Sequence, residues 1–187
     1  MSWEALAAIS AFLTAIVIAA TAIAALVQLR HMRAANAITG VLGFMDKWAT
    51  PEHRKGLNYV FQGELDQRLK EPEFRQELMR PWVDRLAHPE VALLDYWENL
   101  ATFIKMRYTP EEGFMETGGS LCIAIWNKLV PVIAVMRRTR GPQVYDNLEW
   151  LAARCVRWEE KHSRGTYPKD TAHMPVKDPF PEDASPA

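Results

Sequence analysis

The distribution of apolar positions divides the chain into three parts. Between Glu4 and Arg30 no residue is charged, and residues 5–27 form a run of 23 apolar or small side chains. That is close to the ~20 residues an α-helix needs to cross a hydrocarbon core. Leu6, Ile9, Phe12, Leu13, Ile16, Val17, Ile18, Ile23 and Leu26 tip the sum towards insertion, although alanine contributes little to it. A secretory signal would place a basic stretch before a shorter apolar segment, whereas Ser2, Trp3 and Glu4 precede a longer one here. A buried core helix is the competing explanation, and the alanine content keeps it open. The pattern predicts a transmembrane helix over 5–27, after a short extracytoplasmic N-terminus at 1–4.

The second part, 28–164, reads as a succession of amphipathic helices. Residues 28–49 contain no proline, and Leu29, Met32, Ile38, Val41, Leu42, Met45 and Trp48 keep a roughly helical period, so a linking helix is expected. Gly40 and Gly43 weaken it and invite a bend. A helical domain over 50–164 follows, opened by Thr50-Pro51 as N-cap and first helical residue. Its first helix aligns Leu57, Val60, Phe61, Leu65 and Leu69 on one face. Pro72, Pro81 and Pro89 punctuate shorter pieces, with Phe74, Leu78, Trp82, Val83 and Leu86 as the expected buried residues. From His88-Pro89-Glu90 a stronger stripe runs through Val91, Leu94, Trp97, Leu100, Ala101, Ile104 and Tyr108. Thr109-Pro110-Glu111-Glu112 has the form of a capping box, and Gly118-Gly119 predicts a break. A helix over 120–138 should kink at Pro131, and another over 142–162 should turn Val144, Leu148, Leu151, Cys155 and Trp158 inward.

The third part, 165–187, is rich in proline among small and charged residues, including Pro168, Pro175, Pro179, Pro181 and Pro186. Such a segment buries too little apolar surface to fold and is expected to be an extended or disordered tail. No stretch alternates with the period of a strand. The expected fold class is therefore all-α: one N-terminal transmembrane helix continuing into a small cytoplasmic helical bundle with a disordered Pro-rich C-terminal tail.

Charge decides the orientation. Arg30, Arg33 and Lys47 follow the span and no Lys or Arg precedes it, so the positive-inside rule puts the domain in the cytoplasm, the N-terminus outside, and the protein in the cytoplasmic (inner) membrane. Trp3 suits the outer interface. The net charge of −1 argues against a nucleic-acid partner. Within the span, Ala8, Ala11, Ala15, Ala19 and Ala22 recur at three- and four-residue spacing, a smooth face for packing another membrane helix, to which Thr14 or Thr21 would add hydrogen bonds. Chance produces some stripe wherever alanine is this common. Cys122 and Cys155 have no metal or redox spacing and read as two buried thiols in a reducing compartment.

The run LLDYWENLATFIKMRYTPEEGF, then IWNKLVPVI, the Arg137-Arg138 pair and PQVYDNLEWLAARC resemble a family of uncharacterised bacterial proteins, domain of unknown function 4760. The resemblance covers about residues 3–160 and implies the same architecture of span, linking helix and helical domain. Its motifs are aromatic and aliphatic, so it implies no activity and carries no functional residues.

Chemistry is sparse. Asp95 and Glu98 lie three apart without a histidine at a useful spacing, and a solvated helix face with partners such as Thr102 explains them. His31, His53, His88, His162 and His173 are scattered singly. Arg137, Arg138 and Arg140 suit a helix C-terminus better than an anion site. Neither catalytic nor cofactor or metal residues emerge, and no enzyme is expected. The leading expectation is a membrane-anchored interaction or accessory subunit, touching the lipid bilayer and either another membrane protein or a second copy. One alternative is a membrane-bound sensor or enzyme with a pocket at Trp97, Trp126, Asn127 and Trp158. The other is a soluble helical protein that buries its N-terminal segment.

Overall fold

The structure, a computed structural model, describes residues 2–48, 50–163 and 165–180. Pro181 and Pro186 of the expected tail lie outside the described residues, as do the side chains of Val41, Met45 and Lys47. Seven α-helices and no strand are found among the described residues.

The expected span and linking helix are one element, α1 (Trp3–Trp48), about 69 Å long at 1.5 Å per residue. Gly40 and Gly43 do not interrupt it: a helical glycine costs about 1 kcal/mol and does not by itself end a helix. Only the foot of α1 meets the domain. There Trp48 lays its ring 5.6 Å from Trp97 and 5.9 Å from His53.

α2 (Pro51–Phe61) starts as expected, with the Thr50 hydroxyl accepting from the His53 amide at 3.3 Å. Gly63, at φ +90°, turns the chain into α3 (Glu64–Arg68). One continuous helix through Leu69 was expected, and this left-handed position is what breaks it. Val60 and Leu65 are buried on either side of the turn, whereas Phe61 is 41% exposed. α4 (Pro72–Leu78) buries Phe74 and Leu78. The following turns bring only Val83 inward. Trp82 and Leu86, expected in the core, are exposed, Trp82 lying under the Arg85 guanidinium at 4.6 Å.

α5 (Pro89–Lys105) is the central element, packed against α2, α6 and α7. Val91, Leu94, Trp97, Leu100, Ala101 and Ile104 are all buried, as the stripe predicted. Tyr108 is not, because Arg107 at φ +61° reverses the chain beyond the helix end.

Two start and stop signals near α6 (Glu111–Arg140) do not act as expected. Pro110, not Thr109, occupies the N-cap and no side chain caps it; Thr109 is buried instead. Gly118-Gly119 does not break the helix. Both are buried inside it, since a Cβ on Gly118 would stand 2.8 Å from the Phe114 ring and one on Gly119 would meet Cys155 at 3.9 Å. Gly118 makes room for the Phe114 ring of its own helix, and Gly119 faces α7 at ordinary contact distance. Pro131 sits within α6 on its exposed side, and Asn127, whose carbonyl it leaves without a helical donor, is exposed as well. α7 (Asp146–Lys161) begins four residues later than expected, after turns that end at Tyr145 with φ +60°. Arg137 and Arg140 close this end of the bundle: Arg137 donates to the Val144 carbonyl at 3.0 Å and pairs with Glu149 at 2.6 Å, and Arg140 donates to the Leu78 and Arg80 carbonyls.

Candidate functional site

α1 carries the largest unpartnered surface. Its apolar stretch has a mean hydropathy of 2.4 with 0% buried, and by length and composition it is sufficient to cross a membrane. α6 passes the same test at hydropathy 1.7, but 44% of its window is buried and its apolar side chains form the core. Ala8, Ala11, Ala15, Ala19 and Ala22 are all exposed. The Thr14 and Thr21 hydroxyls are used internally, donating to the Ser10 and Val17 carbonyls at 2.8 and 2.7 Å. Their capacity for a contact between helices is reduced accordingly.

The four residues of the predicted pocket do not converge. Trp97 has no exposed surface and is packed edge-on against Trp48, Tyr96 and Phe114 at 5.6–6.3 Å. Trp126 is half-buried against the core and Asn127 is exposed. Trp158 lies against His162, their rings tilted at 34° and 4.3 Å apart, in a separate cleft of about 470 Å³ between the start of α6 and the end of α7. Helical period placed these residues on inward faces, but not on the same side of the core. The cleft itself pairs acidic residues of α6 with basic ones of α7, and Glu111 is already bonded to Arg154.

Asp95 and Glu98 are not a solvated face. Asp95 joins two elements, bonding Arg85 at 2.8 Å and the Tyr145 hydroxyl at 2.9 Å. Burial, with Asp95 next in effect, pushes the Tyr145 hydroxyl well above the usual phenol range. Glu98 accepts from the Leu148 amide at 2.8 Å and from Asn147 Nδ2 at 2.7 Å. It therefore caps the start of α7 from another helix, where Tyr145 offers no side-chain cap. Thr102 bonds the Glu98 backbone carbonyl at 2.9 Å, not its carboxylate.

A second polar cluster was not foreseen. His88 Nδ1 lies 2.8 Å from Glu90 Oε1 and its Nε2 lies 3.2 Å from Glu77 Oε2, so one ring joins an exposed carboxylate to a buried one. Glu90 is fully buried, and its Oε2 has no hydrogen-bond partner among the described residues. Burial raises its pKa, against the His88 hydrogen bond that lowers it. Tyr59 beside it is pushed up to about 12 by burial and then by Glu90. Glu77 and His88 line a small surface cavity of about 220 Å³ with Arg80 and Asp84. This arrangement is able to exchange a proton between solvent and Glu90 through the ring. The usable sequence signal was His88 and Glu90 flanking a helix-starting proline, but the third member, Glu77, comes from α4. His53 is also buried, 4.5 Å from Tyr96, and burial lowers its pKa.

Cys122 of α6 and Cys155 of α7 are both buried beside one another, and the Cys155 thiol donates to Met115 Sδ at 3.4 Å. Among the described residues no group of three His, Cys, Asp or Glu side chains is placed to hold a metal ion.

No curated protein and no solved structure matches the chain. One family model does, over residues 15–158, which takes in the second half of the apolar run and the whole helical bundle up to Trp158. The chain belongs to that family, described as Domain of unknown function (DUF4760).

Proposed function

We propose that this protein is a membrane-anchored helical interaction or accessory subunit of a larger membrane assembly, with its N-terminus outside and its helical domain in the cytoplasm. The observation that carries the reading is α1, whose apolar window is wholly unburied while Trp48, at its foot, is what packs against the core of the domain. An unpaired apolar helix of this length is stable in lipid and costly in water. Arg30 and Arg33 follow the span and support the orientation. The alanine face supports lateral contact with another membrane helix.

The test combines three measurements on the full chain in native membranes. Retention through alkaline carbonate, protection of the domain from protease in sealed vesicles, and a partner or second copy recovered in mild detergent are expected. Release by carbonate would return the chain to the soluble class, and a retained but solitary monomer would remove the interaction role.

A small-ligand sensor is a second reading, favoured by the Glu77–His88–Glu90 chain beside its cavity. A ligand screen by thermal shift in which His88→Ala abolishes a hit would support it. Hits that ignore His88 would count against it.

A further inference from the structure

We infer that the cleft between the C-terminal part of α1 and α5 binds an uncharged, mainly apolar small molecule carrying a hydroxyl or carbonyl group. The cleft holds about 460 Å³, within the size range of small-ligand sites. Thr39, Gly40 and Gly43 of α1 form one wall, and Tyr96, Leu100 and Phe103 of α5 the other. It is separate from the Glu77–His88–Glu90 chain, which sits at the start of α5. The two glycines hold it open. They stand three residues apart, on one face of the helix. A Cβ on Gly40 would meet the Tyr108 carbonyl oxygen at 3.6 Å and the Thr109 hydroxyl oxygen at 3.7 Å, both ordinary contacts. One on Gly43 would meet nothing within 4 Å. Neither close packing nor helix propensity therefore asks for glycine here. A side chain at either position would narrow the junction, and what its absence leaves is the cleft.

The polar groups specify the occupant. Thr109 is the expected cap of α6, but Pro110 takes that place. Thr109 is only 7% exposed and borders the cleft, and its hydroxyl has no hydrogen-bond partner among the described residues. A buried hydroxyl left unpaired is costly, and one beside a cleft is satisfied by what enters it. It both donates and accepts, so a hydroxyl or carbonyl oxygen on the ligand suits it. The Thr39 hydroxyl donates to the Ala35 carbonyl at 3.0 Å, which leaves its oxygen able to accept. Asn99 adds an amide at the exposed rim. The apolar surface comes from buried Leu100 and from the rings of Tyr96 and Phe103, the latter 51% exposed. No lining side chain among the described residues carries a charge. Burial holds the Tyr96 hydroxyl above the usual phenol range, so it stays neutral as well. A carboxylate, phosphate or ammonium group would enter without a counter-charge, at a desolvation cost that disfavours it. An uncharged oxygen on an apolar body meets every demand. In the anchored chain proposed above, the cleft begins about 14 Å past Arg30 along α1 at 1.5 Å per residue, beside the bilayer in which such molecules concentrate. The site itself does not rest on that anchor.

The test is photolabelling of the full chain in native membranes with benzophenone, an uncharged aromatic ketone that inserts into nearby C–H bonds under near-ultraviolet light. Adducts are mapped by mass spectrometry after purification. Label on residues 39–43 and 96–103 is expected to saturate with probe concentration, whereas label on the exposed run 5–27 should rise in proportion to it. A Cβ at Gly43 is unobstructed, so Gly43→Leu should abolish the saturable label while thermal unfolding of the domain is unchanged or shifted upward. Thr109→Val removes the hydroxyl and keeps the shape, and half-saturation should then need about 3–10 times more probe. The para-carboxylate of benzophenone, the same body with a charge, should give no saturable label. Label that never saturates, saturable label retained in Gly43→Leu, half-saturation unmoved in Thr109→Val, or an equal response to the carboxylate would overturn the assignment. Carbonate extraction reads the anchor separately: release with the saturable label intact refutes only the anchor, and retention without that label refutes only the cleft.

Discussion

Replacing Glu98 by alanine removes the acceptor that holds the first turn of α7. In the folded protein its carboxylate receives the Leu148 amide at 2.8 Å and Asn147 Nδ2 at 2.7 Å, and the N-cap residue Tyr145 supplies no substitute. Losing a helix cap costs about 0.5–2 kcal/mol, and a hydrogen bond to a charged group is worth about 1.5–3 kcal/mol. The two descriptions overlap, and Glu98 is only half-buried, so water recovers part of the loss. The expected destabilisation is about 2 kcal/mol, or a fall in Tm of about 6–10 °C for a domain of this size. Thermal unfolding of the full chain in mild detergent, followed by tryptophan fluorescence, reads this directly. Glu98→Gln keeps an acceptor without the charge and should lose about half as much. Hydrogen exchange adds a local readout, because the Asn147 and Leu148 amides should lose protection before those of α5. A Tm for Glu98→Ala within about 1 °C of the parent would refute the capping role and return Glu98 to a solvated face.

Three further outcomes follow from the core. Burial holds the Glu90 carboxyl above its ordinary 4.5, so its contribution is fully present below that value and is lost as pH rises through the folded pKa. Glu90→Gln should therefore gain stability relative to the parent as pH rises above 4.5, and a difference in Tm that stays constant with pH would show that burial is not what governs this carboxyl. Gly119→Ala meets Cys155 at an ordinary 3.9 Å and gains helix propensity, raising stability by up to about 1 kcal/mol. Gly118→Ala puts a methyl 2.8 Å from the Phe114 ring and should lower stability; denaturant titration with the opposite order would contradict the packing. The Cys122 thiol is held well above its ordinary range, by the neighbouring Cys155 thiol and then by burial. Neither cysteine should react with a thiol reagent until the domain unfolds, which mass spectrometry after native and denatured labelling decides.

Much of the architecture was legible because its signals are local. An apolar run of 23 residues reports its own transfer preference. Thr50-Pro51, Pro72 and Pro89 each start a helix because proline lacks an amide donor and has φ already fixed. The stripe Val91–Leu94–Trp97–Leu100–Ala101–Ile104 became the core because period alone decides which face is apolar. The same rule misjudged Trp82 and Leu86, where the chain forms turns and no helical period applies.

The sequence by itself thus determined the helical class, the apolar segment and most helix starts. Tertiary structure decided everything that depends on what faces what. Gly118-Gly119 is a breaker in isolation, yet in the fold both are buried within α6, Gly118 under the Phe114 ring and Gly119 against Cys155 of α7. Asp95 and Glu98 looked solvated until α7 arrived about 50 residues later to use them. Trp97 and Trp158 share an inward bias but end in different places, one sealed in the core and one in a cleft. The physical reason is the same in each case. Propensity and period act within a few residues, whereas burial, capping between helices and charge pairing depend on chain segments that only folding brings together.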